Sequence, residues 1–169
     1  MKLIIAIFAS VGILANPVVT YNEKSSSSKI LYYNKDRKLS WDDFKRASNG
    51  DGYAAEIHCG IDLNVGLSDG EVSVVEVLCH MNRQTSWVVK SQMTERVLRH
   101  EQGHFDIADK YSRILIDRIR GLRSEQKIYE VYDSVMKEYQ DCQERYDSET
   151  NHGVDIPQQR KWEYWISPN

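Results

Sequence analysis

The sequence predicts an α+β fold: a small, mostly antiparallel sheet with a β-hairpin, followed by two long helices, the first carrying a metal motif. Three observations carry that expectation. Between residues 53 and 81, apolar and polar residues alternate on either side of a glycine-containing turn, the period of half-buried strands. From residue 97 to 146 the apolar residues recur every three to four positions, the period of packed helices. Inside the first helical stretch stands His100-Glu101-Gln102-Gly103-His104.

The first 15 residues, "MKLIIAIFASVGILA", place Lys2 before a continuous apolar run. The pattern is that of a secretory signal peptide and is short for a membrane span. It implies a secreted or periplasmic protein with no stable membrane insertion after cleavage. Residues 16–28, ending in "NEKSSSS", have the composition of a flexible polar leader. The remaining residues, 29–169, are enough for one domain with its own core. A formal net charge of −3 argues against nucleic acid as a partner.

Within that domain "SKILYYNKDRKLSWDDFK" reads as a short strand, a charged turn and a helical turn capped by Ser40. "YAAEIHCGIDLNV" sets Tyr53, Ala55, Ile57, Cys59, Ile61, Leu63 and Val65 on one face of a strand. "EVSVVEVLCHM" returns after "GLSDG". A three-residue loop at Ser68-Asp69-Gly70 pairs Leu67 with Glu71, Leu63 with Val75 and Ile61 with Val77, so the apolar faces coincide. The same register sets Cys59 opposite Cys79, within reach of a disulfide in an exported chain. Cys142 lies on the stripe Ile128, Tyr132, Val135, Tyr139, Cys142, Tyr146 of the second helix and reads as a core thiol.

The metal motif follows from helix geometry. Residues four apart share a face, so His100 and His104 point the same way and can hold one ion. Glu101 lies about 100° around the axis, where a general base takes a proton from metal-bound water. That is the arrangement of a Zn2+ hydrolase helix. Gly103 is costly in mid-helix and signals a close approach by another backbone or a substrate. Catalytic zinc takes three protein ligands, and Asp106 and Asp109 face away from His100. The third ligand is expected after the second helix, from His152, Glu149 or Asp147. His152 is preferred because imidazole suits zinc and Gly153 forms a turn beside it. Tyr146 is either a donor to a developing oxyanion or an ordinary core tyrosine.

"RKLSWDDFK", "SWV", "HEQGHFDIADKYSR", "YDSETNHG" and "QQRKW" together resemble a family of bacterial secreted proteins. That family is described as zinc-dependent proteases, largely on the strength of the motif, and was long carried as a domain of unknown function. The resemblance spans about Leu31 to Trp162. It implies a zincin-like domain with Zn2+ on His100 and His104 and with Glu101 as base. It also marks Tyr146, Asp147, Thr150, His152 and Gly153 as motif positions. The expected activity is hydrolysis of a peptide bond in a peptide or protein substrate, which a sheet edge near the metal helix could hold by strand addition. Two alternatives stay open: an amide hydrolase acting on cell-wall peptides, and a secreted metal-binding or interaction module without turnover. The intact Glu101 argues against the second.

Overall fold

A computed structural model describes residues 16–22, 24–48 and 52–167. The apolar run read as a signal peptide lies outside the described residues. The described residues form an α+β fold, with a mixed sheet, a second small sheet and three α-helices.

The centre of the first sheet is the hairpin of β5 (Cys59–Ser68) and β6 (Glu71–Asn82). Its turn has two residues, Asp69 and Gly70, both left-handed (φ 53° and 83°). This is the primed turn that suits strand twist. Ser68 pairs with Glu71, and an irregularity at Gly66/Leu67 shifts the ladder once more. Beyond it Leu63 faces Val77, Ile61 faces Cys79 and Cys59 faces Met81. The expected register is therefore wrong by two residues. A slip of two keeps every side chain on its face, so coincidence of apolar faces could not detect it. Gly66 allows the irregularity: a Cβ there would stand 2.5 Å from Val74 Cγ1.

The corrected register removes the disulfide. Cys59 and Cys79 are diagonal neighbours, and all three cysteines are free thiols. Cys79 is fully buried within the sheet, while Cys59 Sγ lies 3.7 Å from both the His104 carbonyl and Tyr139 Oη. Burial pushes the Cys59 thiol up to about 12.

The leader also belongs to the fold. β1 (Val18–Tyr21) pairs in parallel with β6, and β2 (Ile30–Tyr32) pairs antiparallel further along the same edge. Asn22 joins them: its Oδ1 accepts from Cys79 N and its Nδ2 donates to the Tyr33 carbonyl. Ser26 and Ser27 accept backbone N–H bonds from Tyr32, Lys29 and Ile30. The polar composition of this segment serves backbone capping, not flexibility. The capped turn after Ser40 is present as a short 3-10 turn, Trp41–Asp43. Asp43 holds it by accepting from Ser40 N and Arg37 and by pairing with the Arg83 charge. Leu39 N–H donates to Gln102 Oε1 and ties the segment to the motif helix.

The long strand expected from Tyr53 is split. β4 (Ala55–Glu56) leaves the hairpin and joins β3 (Arg46–Ala47) and β7 (Trp87–Val88) in a second sheet of order β3-β7-β4. α1 (Glu95–Ile119) and α2 (Glu125–Thr150) follow, capped by Thr94 and Ser124. A third helix, α3 (Ile156–Ile166), was not anticipated; Asp155 caps it and Pro157 occupies its first turn. α1 packs against β5 and β6 and against α2 and α3, and α2 also reaches β5. Phe105, Ile107, Ala108, Leu115 and Ile119 of α1 are buried in these contacts. Among the described residues no helix is long and apolar enough to cross a membrane.

Alkylation of the denatured protein without reductant should mark three cysteines by mass; a single marked cysteine would restore the disulfide. Asp43→Asn should lower stability by about 2 kcal/mol, read as a reduced thermal midpoint. Burial acts to raise the Asp43 pKa, but the bonds from Arg37 and Ser40 and the Arg83 charge outweigh it and hold the carboxyl below its usual value. Its stabilisation is therefore complete above the usual carboxylate range of about pH 4 and disappears as pH falls through the lower folded value. The gap between parent and Asp43→Asn should close at acid pH.

Candidate metal centre

α1 carries His100 and His104 on one face, with their Nε2 atoms 3.2 Å apart. α2 runs back alongside and presents Asp147, whose Oδ1 is 3.0 Å from each Nε2. These three ligand atoms form a group that could hold one ion. Their separations are close to the edge of about 3.3 Å that a tetrahedral zinc with bonds near 2.0–2.1 Å requires. Two imidazoles and one carboxylate are also a donor set that zinc accepts.

The electrostatics explain the convergence. Burial works against ionisation of Asp147, but hydrogen bonds and charge from His100 and His104 outweigh it and hold the carboxyl far below its usual range. Burial likewise lowers His104, but Asp147 and the Glu101 charge outweigh it and raise the imidazole. Both shifts favour positive charge at the centre of the cluster. Gln143, one turn before Asp147 on α2, clasps His104 twice. Its Nε2 donates to the His104 carbonyl at 3.1 Å, so its Oε1, 2.7 Å from Nδ1, must accept from the ring. This fixes the proton on Nδ1 and leaves Nε2 to face Asp147.

Glu101 is 4% exposed and stands beside this group. Its Oε2 accepts from Ile57 N–H at 2.8 Å. Burial raises its pKa, against the lowering effect of both histidines. His100, Glu101, His104 and Asp147 line a cleft of about 630 Å³ whose opposite wall is the stretch Gly52–Ile57.

Of the expected site residues, His100, Glu101 and His104 come together as read. The side chain that meets both imidazoles is Asp147, where His152 was expected. The α2 C-terminus unwinds through three left-handed residues, Asn151, His152 and Gly153. This turn carries the His152 ring outward until it is 47% exposed, edge-on to Tyr53 at 4.9 Å, with Nδ1 3.4 Å from Asp147 Oδ1. His152 thus lines the cleft mouth and touches the ligand carboxylate without joining the three-atom group. Glu149 points away and accepts from Trp162 Nε1. The Gly153 turn is needed for a different reason: a Cβ there would stand 2.8 Å from His100 Cβ.

Tyr146 is corrected as well. It is fully buried behind the motif, stacked on His100 at 4.7 Å, and does not line the cleft. Its hydroxyl donates to the His100 carbonyl and accepts from Gln159 Nε2, so it has no proton left for an oxyanion. It also answers why Gly103 is a glycine. The approach is made by a side chain: a Cβ on Gly103 would overlap the Tyr146 hydroxyl and lie 2.6 Å from its Cζ. Gln143 was missed; its place four residues before Asp147 on one helix face was the available signal.

The fold and site define an α+β protein with a two-histidine, one-carboxylate cluster beside a buried glutamate. Residues 80–153 match the family model described as a bacterial protein of unknown function (DUF922). The matched stretch contains His100, Glu101, His104, Gln143, Asp147 and His152 but stops before α3. No curated protein and no solved structure matches the chain.

Gly103→Ala should destabilise by about 1–3 kcal/mol through overpacking, although alanine gains about 1 kcal/mol in helix propensity. A denaturation midpoint above the parent's would show that Tyr146 does not need the gap.

Proposed function

We propose that the chain is a zinc-dependent hydrolase outside the cytoplasm, most simply a peptidase, with His100, His104 and Asp147 as metal ligands and Glu101 as general base. The observation that carries this reading is the convergence of three ligand atoms next to a buried carboxylate that is not one of them. When bound, zinc supplies a Lewis acid for the scissile carbonyl and makes water acidic enough to be deprotonated near neutral pH.

The chain's own groups do the rest. Glu101 takes the proton from the attacking water and returns it to the leaving amine. Its pKa, raised by burial, makes it a stronger base than an ordinary carboxylate, which suits taking the proton from water. The Ile57 N–H holds the carboxylate toward the cleft. An extended substrate has a place to lie. β4 is an edge strand of its sheet, and the Ala54 carbonyl accepts from Val89 N. By strand alternation the N–H and C=O of Ala55 then face the open edge, where the cleft is lined by Tyr53, Ala55 and Ile57. A backbone edge of this kind recognises peptide main chain and favours a peptide over a compact small molecule. The apolar N-terminal run supports export.

Metal analysis after dialysis should find about one zinc per parent chain. Asp147→Ala should lose most of it, while His152→Ala and Glu101→Gln should keep it. Glu101→Gln should then hydrolyse a peptide library about 10²–10⁴-fold more slowly than the parent. Loss of zinc from Glu101→Gln would make Glu101 a ligand. Loss from His152→Ala with retention in Asp147→Ala would return the third position to His152.

A further inference from the structure

His100 carries a second contact on its other ring nitrogen. Its Nδ1 lies 3.3 Å from Oε1 of Gln159, which α3 inserts behind the site. Gln159 is 2% exposed, and a primary amide this deep needs all its groups paired. Its Nε2 donates to Tyr146 Oη at 2.7 Å and to Glu163 Oε1 at 3.2 Å.

Those two bonds decide which way the amide points. The Tyr146 hydroxyl proton is committed to the His100 carbonyl, so Tyr146 can only accept from Gln159. An amide turned by half would set Oε1 against the Glu163 carboxylate. Oε1 is therefore the atom that meets His100, and a carbonyl oxygen only accepts. The proton must sit on Nδ1, and in the neutral ring the Nε2 lone pair faces His104 and Asp147.

We propose that Gln159 is a positioning residue for the metal centre, holding His100 in the tautomer and orientation that present Nε2 as a ligand. This rests on the zinc reading above. Each histidine then has its own glutamine from a different helix, Gln143 of α2 for His104 and Gln159 of α3 for His100. Such partners of ligating histidines typically change metal affinity about 10–100-fold when removed. α3 lies beyond the residues that match the family model, and in this chain it completes the site.

The test is zinc affinity of the full-length protein, measured by competition with a chromophoric chelator. Gln159→Leu keeps the bulk and removes the acceptor, and should weaken zinc about 10–100-fold. The exchange Gln159→Glu with Glu163→Gln puts an acceptor back at His100 and a donor at 163, with the Tyr146 hydroxyl turning its proton from the His100 carbonyl to the new carboxylate, and should restore parental affinity or exceed it. Ile166→Ala loosens α3 through the core, where Ile166 is buried, without touching the amide. It should lower the thermal midpoint but leave zinc affinity unchanged. Parental affinity in Gln159→Leu, or equal weakening in Gln159→Leu and Ile166→Ala, would overturn the role of Gln159 while leaving the zinc site standing. A parent chain that binds no zinc would instead overturn the zinc reading, and this inference with it.

Discussion

Tyr146 occupies the space that Gly103 leaves open on α1, and the rest of the site depends on that contact. The missing Cβ lets the tyrosine ring slide under His100 and stack on it. With Tyr146 seated there, the next residue on α2 is carried to the two imidazoles, and that residue is Asp147. Gly153 makes a second allowance, bringing the turn after α2 against His100. Both glycines carry a cost in chain entropy or helix propensity. Both are placed where any larger residue would push the carboxylate away from the histidines.

The centre so formed is electrostatically demanding. His100, Glu101 and His104 are largely buried, and Asp147 is half-buried among them. Uncompensated charge in such a place costs several kcal/mol. The surrounding amides, hydroxyls and backbone groups offset part of that cost by orienting each member: Gln143 on His104, Ile57 N–H on Glu101, and Tyr146 on the His100 backbone. A cluster that only served packing would be better replaced by apolar residues.

The strand region shows where pattern reading loses information. The faces of β5 and β6 were legible because alternation is local, yet the pairing depended on a two-residue turn and the irregularity beside Gly66. Each shifts the register by one residue, and together they shift it by two without changing face, so the Cys59–Cys79 pairing looked sound and was not. The segment 16–28 looked like a polar leader because its serines and asparagine resemble linker chemistry. In the fold they cap backbone groups where β1 gives way to β2 on the edge of β6. Composition does not distinguish a serine that is solvated from one that accepts a backbone N–H.

By itself the sequence determined what one helical turn can relate. His100, Glu101 and His104 are fixed relative to one another by the geometry of α1, whatever the rest of the chain does. The stripe of α2 was equally local: Ile128, Val135, Tyr139, Cys142 and Tyr146 are buried as expected, and Tyr132 is partly buried beside them. Which of Asp147, Glu149 and His152 faces the two histidines was open, and no local rule could settle it. It was decided by how α2 seats on α1 through Tyr146 and Gly103, and by three left-handed residues that turn His152 outward. Contacts between residues some 43 apart in sequence exist only after both helices have packed, because the direction of a side chain at a helix end is set by the neighbour it meets.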